Sequence, residues 1–180
     1  MKKFIALAIV CSCAASLFAG EIEIKNIARK NKIGDKKIVS WQLNGNAKNP
    51  SYGTCEVIQG SEKDEKAVKI ANAKVATAFY YLPGVSAKAG SKVKISADVK
   101  GKGTFLAGFY TYTGKVGYFP AVNAEKSVTL TDKFQEVEFE FIVSNGAKGQ
   151  ICETIRPFIK AGANSEVIIE DLEIEIEPAK

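Results

Sequence analysis

Apolar and charged residues alternate strictly in several segments of this chain. Residues 136–141 are Glu-Val-Glu-Phe-Glu-Phe and residues 172–177 are Leu-Glu-Ile-Glu-Ile-Glu. A period of two places the apolar side chains on one face of a β-strand and the glutamates on the other. Strands with one buried face are typical of antiparallel sheets, and several of them predict an all-β, two-sheet antiparallel β-sandwich. The side chains predicted to point inward are Ile22, Ile24, Val68, Ile70, Val93, Ile95, Ala97, Val137, Phe139, Phe141, Leu172, Ile174 and Ile176.

The same pattern, interrupted by Gly, Pro and Asn, predicts strands along the rest of the chain and no convincing helix. We expect the first and last strands, residues 21–26 and 172–177, to lie in one sheet, because the termini of sandwich domains are commonly close together. Trp41, the only tryptophan, is predicted to fill the core. The predicted strands cover residues 21–25, 39–43, 55–58, 67–70, 76–82, 93–99, 104–112, 128–130, 136–143, 151–161 and 167–176.

The first 20 residues have the three-part form of a secretory signal, with Lys2 and Lys3 ahead of an apolar run too short to span a membrane. Cleavage there leaves one domain, residues 21–180, which we expect to be secreted or periplasmic. A minority alternative is a lipid anchor on Cys13. No other apolar segment approaches the roughly 20 residues of a membrane-spanning helix, so no membrane span is predicted.

Composition excludes several functions. The net charge of +5, which falls by two when Lys2 and Lys3 are removed, is too small to predict nucleic-acid binding. The chain contains no histidine, which excludes imidazole-based catalytic triads and His-ligated zinc. Paired carboxylates could still support glycoside hydrolysis, but the glutamates lie on alternating, solvated faces. We therefore predict no enzymatic activity.

Outside the signal, the only cysteines are Cys55 and Cys152. In an exported protein such a pair can form a disulfide, and two buried free thiols are the equally weighted alternative.

Several segments, in order, resemble a known family. They are Ala67-Val68-Lys69-Ile70, Pro83-Gly84, residues 89–101, the Leu130-to-Val137 segment, Ile155-Arg156-Pro157-Phe158 and the Ile169-to-Ile174 segment. Together with Trp41 they are similar to the galactose-binding-like jelly-roll carbohydrate-binding modules attached to bacterial cellulases and xylanases. The resemblance covers nearly the whole mature chain. It implies a jelly roll, an oligo- or polysaccharide partner and no catalytic role.

The resemblance also bears on metal binding. Members often hold a structural calcium with an acid near the N-terminus, and residues 26–29, Asn-Ile-Ala-Arg, supply none. Asp171 matches the family's closing aspartate. Calcium would therefore need Asp171, backbone carbonyls and an acid such as Glu21 or Glu23. A turn or strand-end carboxylate is the favoured alternative for Asp171, and no other cofactor is predicted.

Residues 104–112 are apolar or aromatic on both faces. Phe105 and Phe109 are the better core residues because a buried tyrosine hydroxyl needs a partner, which leaves Tyr110 and Tyr112 on the far face. Gly108 is expected to leave room there for a ligand. The predicted sugar-binding residues, which would act by aromatic stacking, are Tyr110, Tyr112, Tyr118 and Arg156.

Each of these residues has an alternative. The tyrosines could pack under a loop, and Arg156 could form a salt bridge to a glutamate on a neighbouring strand. If the tyrosines bind sugar, replacing Tyr110 or Tyr112 by alanine should weaken retention and leave the thermal melt nearly unchanged. The alternative function is a structural or protein-interaction domain of the cell envelope without sugar binding.

Overall fold

The computed structural model describes residues 22–45, 49–71, 74–113, 124–146 and 149–180. The predicted signal peptide with Cys13, and Glu21, lie outside the described residues. Besides a short 3-10 helix at Pro50–Tyr52, the regular elements are strands. They are β1 Ile22–Lys25, β2 Trp41–Leu43, β3 Thr54–Gln59, β4 Lys66–Ala71, β5 Thr77–Tyr81, β6 Val85–Ser86, β7 Lys92–Lys102, β8 Thr104–Tyr112, β9 Ala124–Thr129, β10 Gln135–Ile142, β11 Thr154–Ala161 and β12 Glu166–Glu177.

The strands form two antiparallel sheets that pack face to face. Sheet 1 has the order β10-β7-β12-β4-β3, with β1 also paired to β12. Sheet 2 has the order β2-β5-β11-β8-β9, with β6 also paired to β11. The predicted all-β, two-sheet antiparallel sandwich is confirmed. Strands β3 and β4 pair as an antiparallel hairpin. Strand β6 was not predicted, because two residues carry no periodic signal.

The long C-terminal strand β12 pairs directly with the first strand in sheet 1. Its C-terminal half pairs with β1, with Ile22 opposite Ile176. Its N-terminal half pairs with β4, with Ile169 opposite Val68. The prediction that the first and last strands share a sheet is therefore confirmed, and they pair directly.

The core lies between the two sheets. All but two of the side chains predicted to point inward are buried there. Ile24 is only partly buried but packs against the core. The prediction for Ile22 is wrong, because its side chain is 36% exposed at the outer end of the short edge strand β1. Trp41 is 8% exposed and belongs to the core, as predicted.

Aromatic rings join the sheets across this core. Phe139 of β10 stacks with Phe105 of β8, with ring centroids 6.4 Å apart. Phe141 meets Phe109 edge to face at 5.7 Å. Because β10 belongs to sheet 1 and β8 to sheet 2, these two pairs pack the sheets against each other.

Cys55 and Cys152 are free thiols, both buried. Cys55 lies in β3 of sheet 1, and Cys152 precedes β11 of sheet 2. Burial raises the pKa of Cys55 to about 12, and it also raises the pKa of Cys152. The Cys152 thiol lies 3.5 Å from the carbonyl oxygen of Ala87. Of the two alternatives left by the sequence, the structure has the free thiols.

Among the described residues, no helix is long and apolar enough to cross a membrane.

Candidate ligand-binding face

The two outer faces of the sandwich differ in chemistry. On sheet 1, lysines pair with glutamates of adjacent strands: Lys69 with Glu166 at 2.8 Å, and Lys94 with Glu138 at 2.8 Å. Another pair joins β1 to β12. Such exposed ion pairs stabilise little and satisfy one another, so this face has the character of an ordinary solvated surface.

Sheet 2 presents aromatic and amide side chains beside a single ion pair among the described residues, Lys160 with Glu125. Strand register aligns one row of residues across all five main strands, namely Gln42, Tyr80, Phe158, Gly108 and Glu125. In the neighbouring row Arg156 lies opposite Tyr110, and one row further Thr154 lies opposite Tyr112.

Tyr110 and Tyr112 lie on the outer face of sheet 2, where the sequence placed them. Phe105 and Phe109 on the same strand are buried in the core, at 0% and 1% exposure. Alternation along β8 therefore turns both tyrosines away from the core, and both are half-buried.

Tyr110 is held in place by its neighbours on this face. Its ring lies 4.6 Å from that of Phe158, with the planes 30° apart, and meets Tyr80 edge to face at 6.2 Å. The Asn44 side-chain amide donates a hydrogen bond of 2.8 Å to the Tyr110 hydroxyl. Phe158 is only 1% exposed although it points away from the core cluster. Tyr110 therefore both covers Phe158 and stays within reach of the surface.

Gly108 allows strands β8 and β9 to approach each other closely. A Cβ atom at this position would lie 1.9 Å from the carbonyl oxygen of Ala124 in β9. Real side chains cannot approach so closely, so glycine is required for β8 and β9 to pair here. The expectation that Gly108 leaves room for a ligand is wrong, because the β9 backbone occupies that space.

Arg156 lies between two of the tyrosine rings. Its guanidinium carbon is 4.9 Å from the ring centre of Tyr112 and 5.6 Å from that of Tyr80. Among the residues that the structure describes, no carboxylate lies within ion-pair distance of Arg156, so the alternative of a salt bridge to a neighbouring glutamate is not found there. Four residues along β11, Lys160 does have such a partner, Glu125 at 2.8 Å.

We call the surface formed by Asn44, Tyr80, Tyr110, Tyr112 and Arg156 the aromatic face. It brings together three of the four predicted binding residues. The fourth, Tyr118, lies outside the described residues.

Sequence reasoning missed Tyr80 and Asn44 on this face. Alternation in β5 places Tyr80 opposite to Phe79, and that signal was available in the sequence. Nothing in the sequence indicates that β5 and β2 join the same sheet as β8, and only that pairing brings the two residues to Tyr110.

Asp171 lies on a β-bulge in β12, where the register shifts between Glu170 and Glu173. Its φ of 44° is the left-handed conformation typical of such a turn in the strand. Partial burial, followed by repulsion from Glu65 and Asp98, raises the pKa of the Asp171 carboxyl.

Of the two acids proposed to share a calcium with Asp171, Glu21 lies outside the described residues and Glu23 does not lie near Asp171. Glu23 lies opposite Glu175, four residues along β12 and thus on the order of 13 Å from Asp171 at the rise of a strand. The neighbouring Glu170 side chain accepts hydrogen bonds from the Ser61 backbone N–H and hydroxyl, at 2.7 and 2.6 Å. Calcium binding through Asp171 stays a prediction, without Glu23 as a co-ligand.

No model of a known protein family matches this sequence, and no curated protein sequence matches it. Solved structures do resemble it. A cyclase from Fischerella sp. TAU is 9% identical with a TM-score of 0.59, over 89% of this chain and 100% of that chain. The CBM22-1 xylan-binding domain from Paenibacillus barcinonensis is 13% identical with a TM-score of 0.52, over 87% of this chain and 95% of that chain.

A third similar structure, the tailspike protein 4 of bacteriophage CBA120, is 12% identical with a TM-score of 0.56, over 77% of this chain and 20% of that chain. At these identities the likeness shows the fold alone. The chain is an all-β protein with a jelly-roll sandwich of the kind that carbohydrate-binding modules have.

Proposed function

We propose that this chain is an exported, non-catalytic module that binds carbohydrate through the aromatic face. The observation that carries the proposal is the asymmetry of the sandwich. One outer face carries lysines and glutamates that pair across adjacent strands, and the other gathers three half-buried tyrosines around an arginine. Aromatic side chains grouped at a surface are often part of a binding site.

The chemistry of these side chains suits a sugar. A pyranose has an apolar C–H face that packs on an aromatic ring, and hydroxyls that need hydrogen-bonding partners. The tyrosine hydroxyls and the exposed amides of Asn44 and Gln42 are such partners. Because Tyr110 is already fixed by Phe158 and Asn44, its ring needs little ordering when a ligand binds.

Two further observations agree with this proposal. The fold is shared with a structure described as a xylan-binding domain. The predicted signal in residues 1–20 would bring the protein outside the cytoplasm, where polysaccharides occur.

The test is retention on affinity gels that contain individual polysaccharides, both neutral and acidic. We expect at least one polysaccharide to retard the wild type. Tyr112→Ala should weaken that retention about fivefold, because an aromatic contact contributes about 1 kcal/mol. Tyr112 is preferred over Tyr110 because no ring stacking onto Phe158 depends on it.

Phe134→Ala is the matched control, since this half-buried aromatic ring lies beside Lys100, away from the aromatic face. It should retain wild-type binding. If no polysaccharide retards the wild type, or if both variants lose retention equally, the proposal is overturned. A structural or protein-interaction role in the cell envelope would then be favoured.

A further inference from the structure

We propose that Arg156 receives a carboxylate of the ligand, so that the glycan bound by the aromatic face contains uronic acid residues. This inference rests on the proposed function and specifies its ligand class.

Two tyrosine rings lie beside the guanidinium of Arg156. It lies 4.9 Å from the ring centre of Tyr112 and 5.6 Å from that of Tyr80. The arginine stem also packs beside Gly84, where a Cβ would lie 3.6 Å from both Cγ and Nε of Arg156. Such contacts fix the guanidinium plane and the aliphatic part of the side chain. They do not use the N–H donors at the edge of the guanidinium, which point away from the rings.

The charge on Arg156 has no anionic partner among the described residues. None of the hydrogen bonds and ion pairs among the described residues involves the Arg156 guanidinium, although the side chain is half-buried. Lys160 on the same strand has Glu125, and Lys69 and Lys94 on sheet 1 each have a glutamate. A half-buried guanidinium with five N–H donors is stabilised when an anion accepts from it.

The shape of a guanidinium favours a carboxylate as its anionic partner. A guanidinium is a planar fork that matches the two oxygens of a carboxylate, and such bidentate pairs are stronger and more directional than those of a lysine. A uronic acid carries its carboxylate on a pyranose ring whose C–H face can lie on an adjacent tyrosine. The aromatic face offers both contacts next to each other, at Tyr112 and Arg156.

A neutral sugar would fit this arrangement less well. It would remove water from the guanidinium without supplying an opposite charge, which costs free energy. We therefore expect discrimination between charged and uncharged forms of one polymer.

The experiment compares two gels that differ only in charge, polygalacturonate and its fully methyl-esterified form. The full chain without its signal peptide, residues 21–180, is run as wild type, Arg156→Gln, Arg156→Lys and Lys94→Gln. Lys94→Gln is the matched control, since it removes one positive charge from the outer face of sheet 1. Melting curves confirm that each variant is folded.

We expect the wild type to bind polygalacturonate about tenfold more tightly than the ester, and added salt to reduce that difference. Arg156→Gln should remove the preference while Lys94→Gln keeps it. Arg156→Lys should retain part of it, because the charge remains and the bidentate geometry is lost.

Equal binding of both polymers by the wild type would overturn the inference, and so would an unchanged preference in Arg156→Gln. A stronger retention by a sulfated galactan than by polygalacturonate would overturn the assignment to a carboxylate. If neutral polysaccharides are retained in a Tyr112-dependent manner and polygalacturonate is retained no more strongly than its ester, the proposed function stands and this inference alone fails. If no polysaccharide is retained, both fail.

Discussion

The ring of Tyr110 lies on the ring of Phe158, with centroids 4.6 Å apart, on the outer side of sheet 2. This contact shields Phe158 down to 1% exposure. A residue predicted for ligand contact is therefore also part of the packing of the sheet surface. The two alternatives considered for Tyr110, ligand contact and packing, are compatible in one side chain.

This contact changes the expected effect of Tyr110→Ala. Removing the ring uncovers Phe158, so we expect the free energy of unfolding to fall by about 2 kcal/mol, contrary to the expectation of an unchanged melt. Tyr110→Phe keeps the ring and removes the hydroxyl that accepts the hydrogen bond from Asn44, which should cost about 1 kcal/mol or less. Urea denaturation of both variants measures the difference. Equal stability of Tyr110→Ala and the wild type would contradict the packing role.

Phe139→Ala should destabilise the protein by about 3–5 kcal/mol. The ring is 9% exposed and stacks on Phe105 of the other sheet, so its removal loses burial and leaves a cavity between the sheets. Ile142→Ala on the same strand is the control, because that side chain is 61% exposed and should cost well under 1 kcal/mol. Denaturant midpoints give both values, and similar losses in the two variants would contradict this description of the core.

Gly101→Ala should be among the more destabilising single-methyl substitutions in this chain. Gly101 has a φ of +140°, and a Cβ there would lie 1.9 Å from the carbonyl oxygen of Glu166 in β12. Backbone strain and displacement of the central β7–β12 pairing should together cost about 3 kcal/mol or more.

Gly34→Ala separates these two causes. Gly34 also has a positive φ, of +93°, but no atom lies within 4 Å of a Cβ at that position. Strain alone should cost about 1–2 kcal/mol. Thermal melts measure the loss of stability in both variants. If Gly101→Ala lowers the melting temperature no more than Gly34→Ala does, the close approach of β7 and β12 is contradicted.

The thiols of Cys55 and Cys152 should be unreactive in the folded protein. With the pKa of Cys55 raised to about 12, only on the order of one thiol in ten thousand is a thiolate at pH 8, and the thiolate is the nucleophile. We expect both cysteines to resist iodoacetamide in the native state and to react fully in urea without a reductant. Peptide mass spectrometry assigns each site. Failure of both to react in urea would indicate a disulfide between them.

Alternation of residue types was enough to predict the longer strands and most of their buried side chains. Glutamates interleaved with Val137, Phe139 and Phe141 allow only one face of β10 to be buried, whatever the partner strand. The wrong prediction that Ile22 is buried arises because burial also depends on neighbouring strands. A short strand at the edge of a sheet buries a side chain only as far as its neighbours cover it, and alternation carries no information about those neighbours.

The binding face required the tertiary structure. The sequence by itself determined that Tyr110 and Tyr112 point away from Phe105 and Phe109, because that depends on the period of a single strand. Only the pairing of β2, β5, β11 and β8 decided that Asn44, Tyr80 and Arg156 surround them. Pairing between strands distant in sequence depends on long-range contacts and register, which no local pattern encodes. The same holds for Gly108. The sequence suggested open space beside it, but the backbone of β9 lies there in the structure.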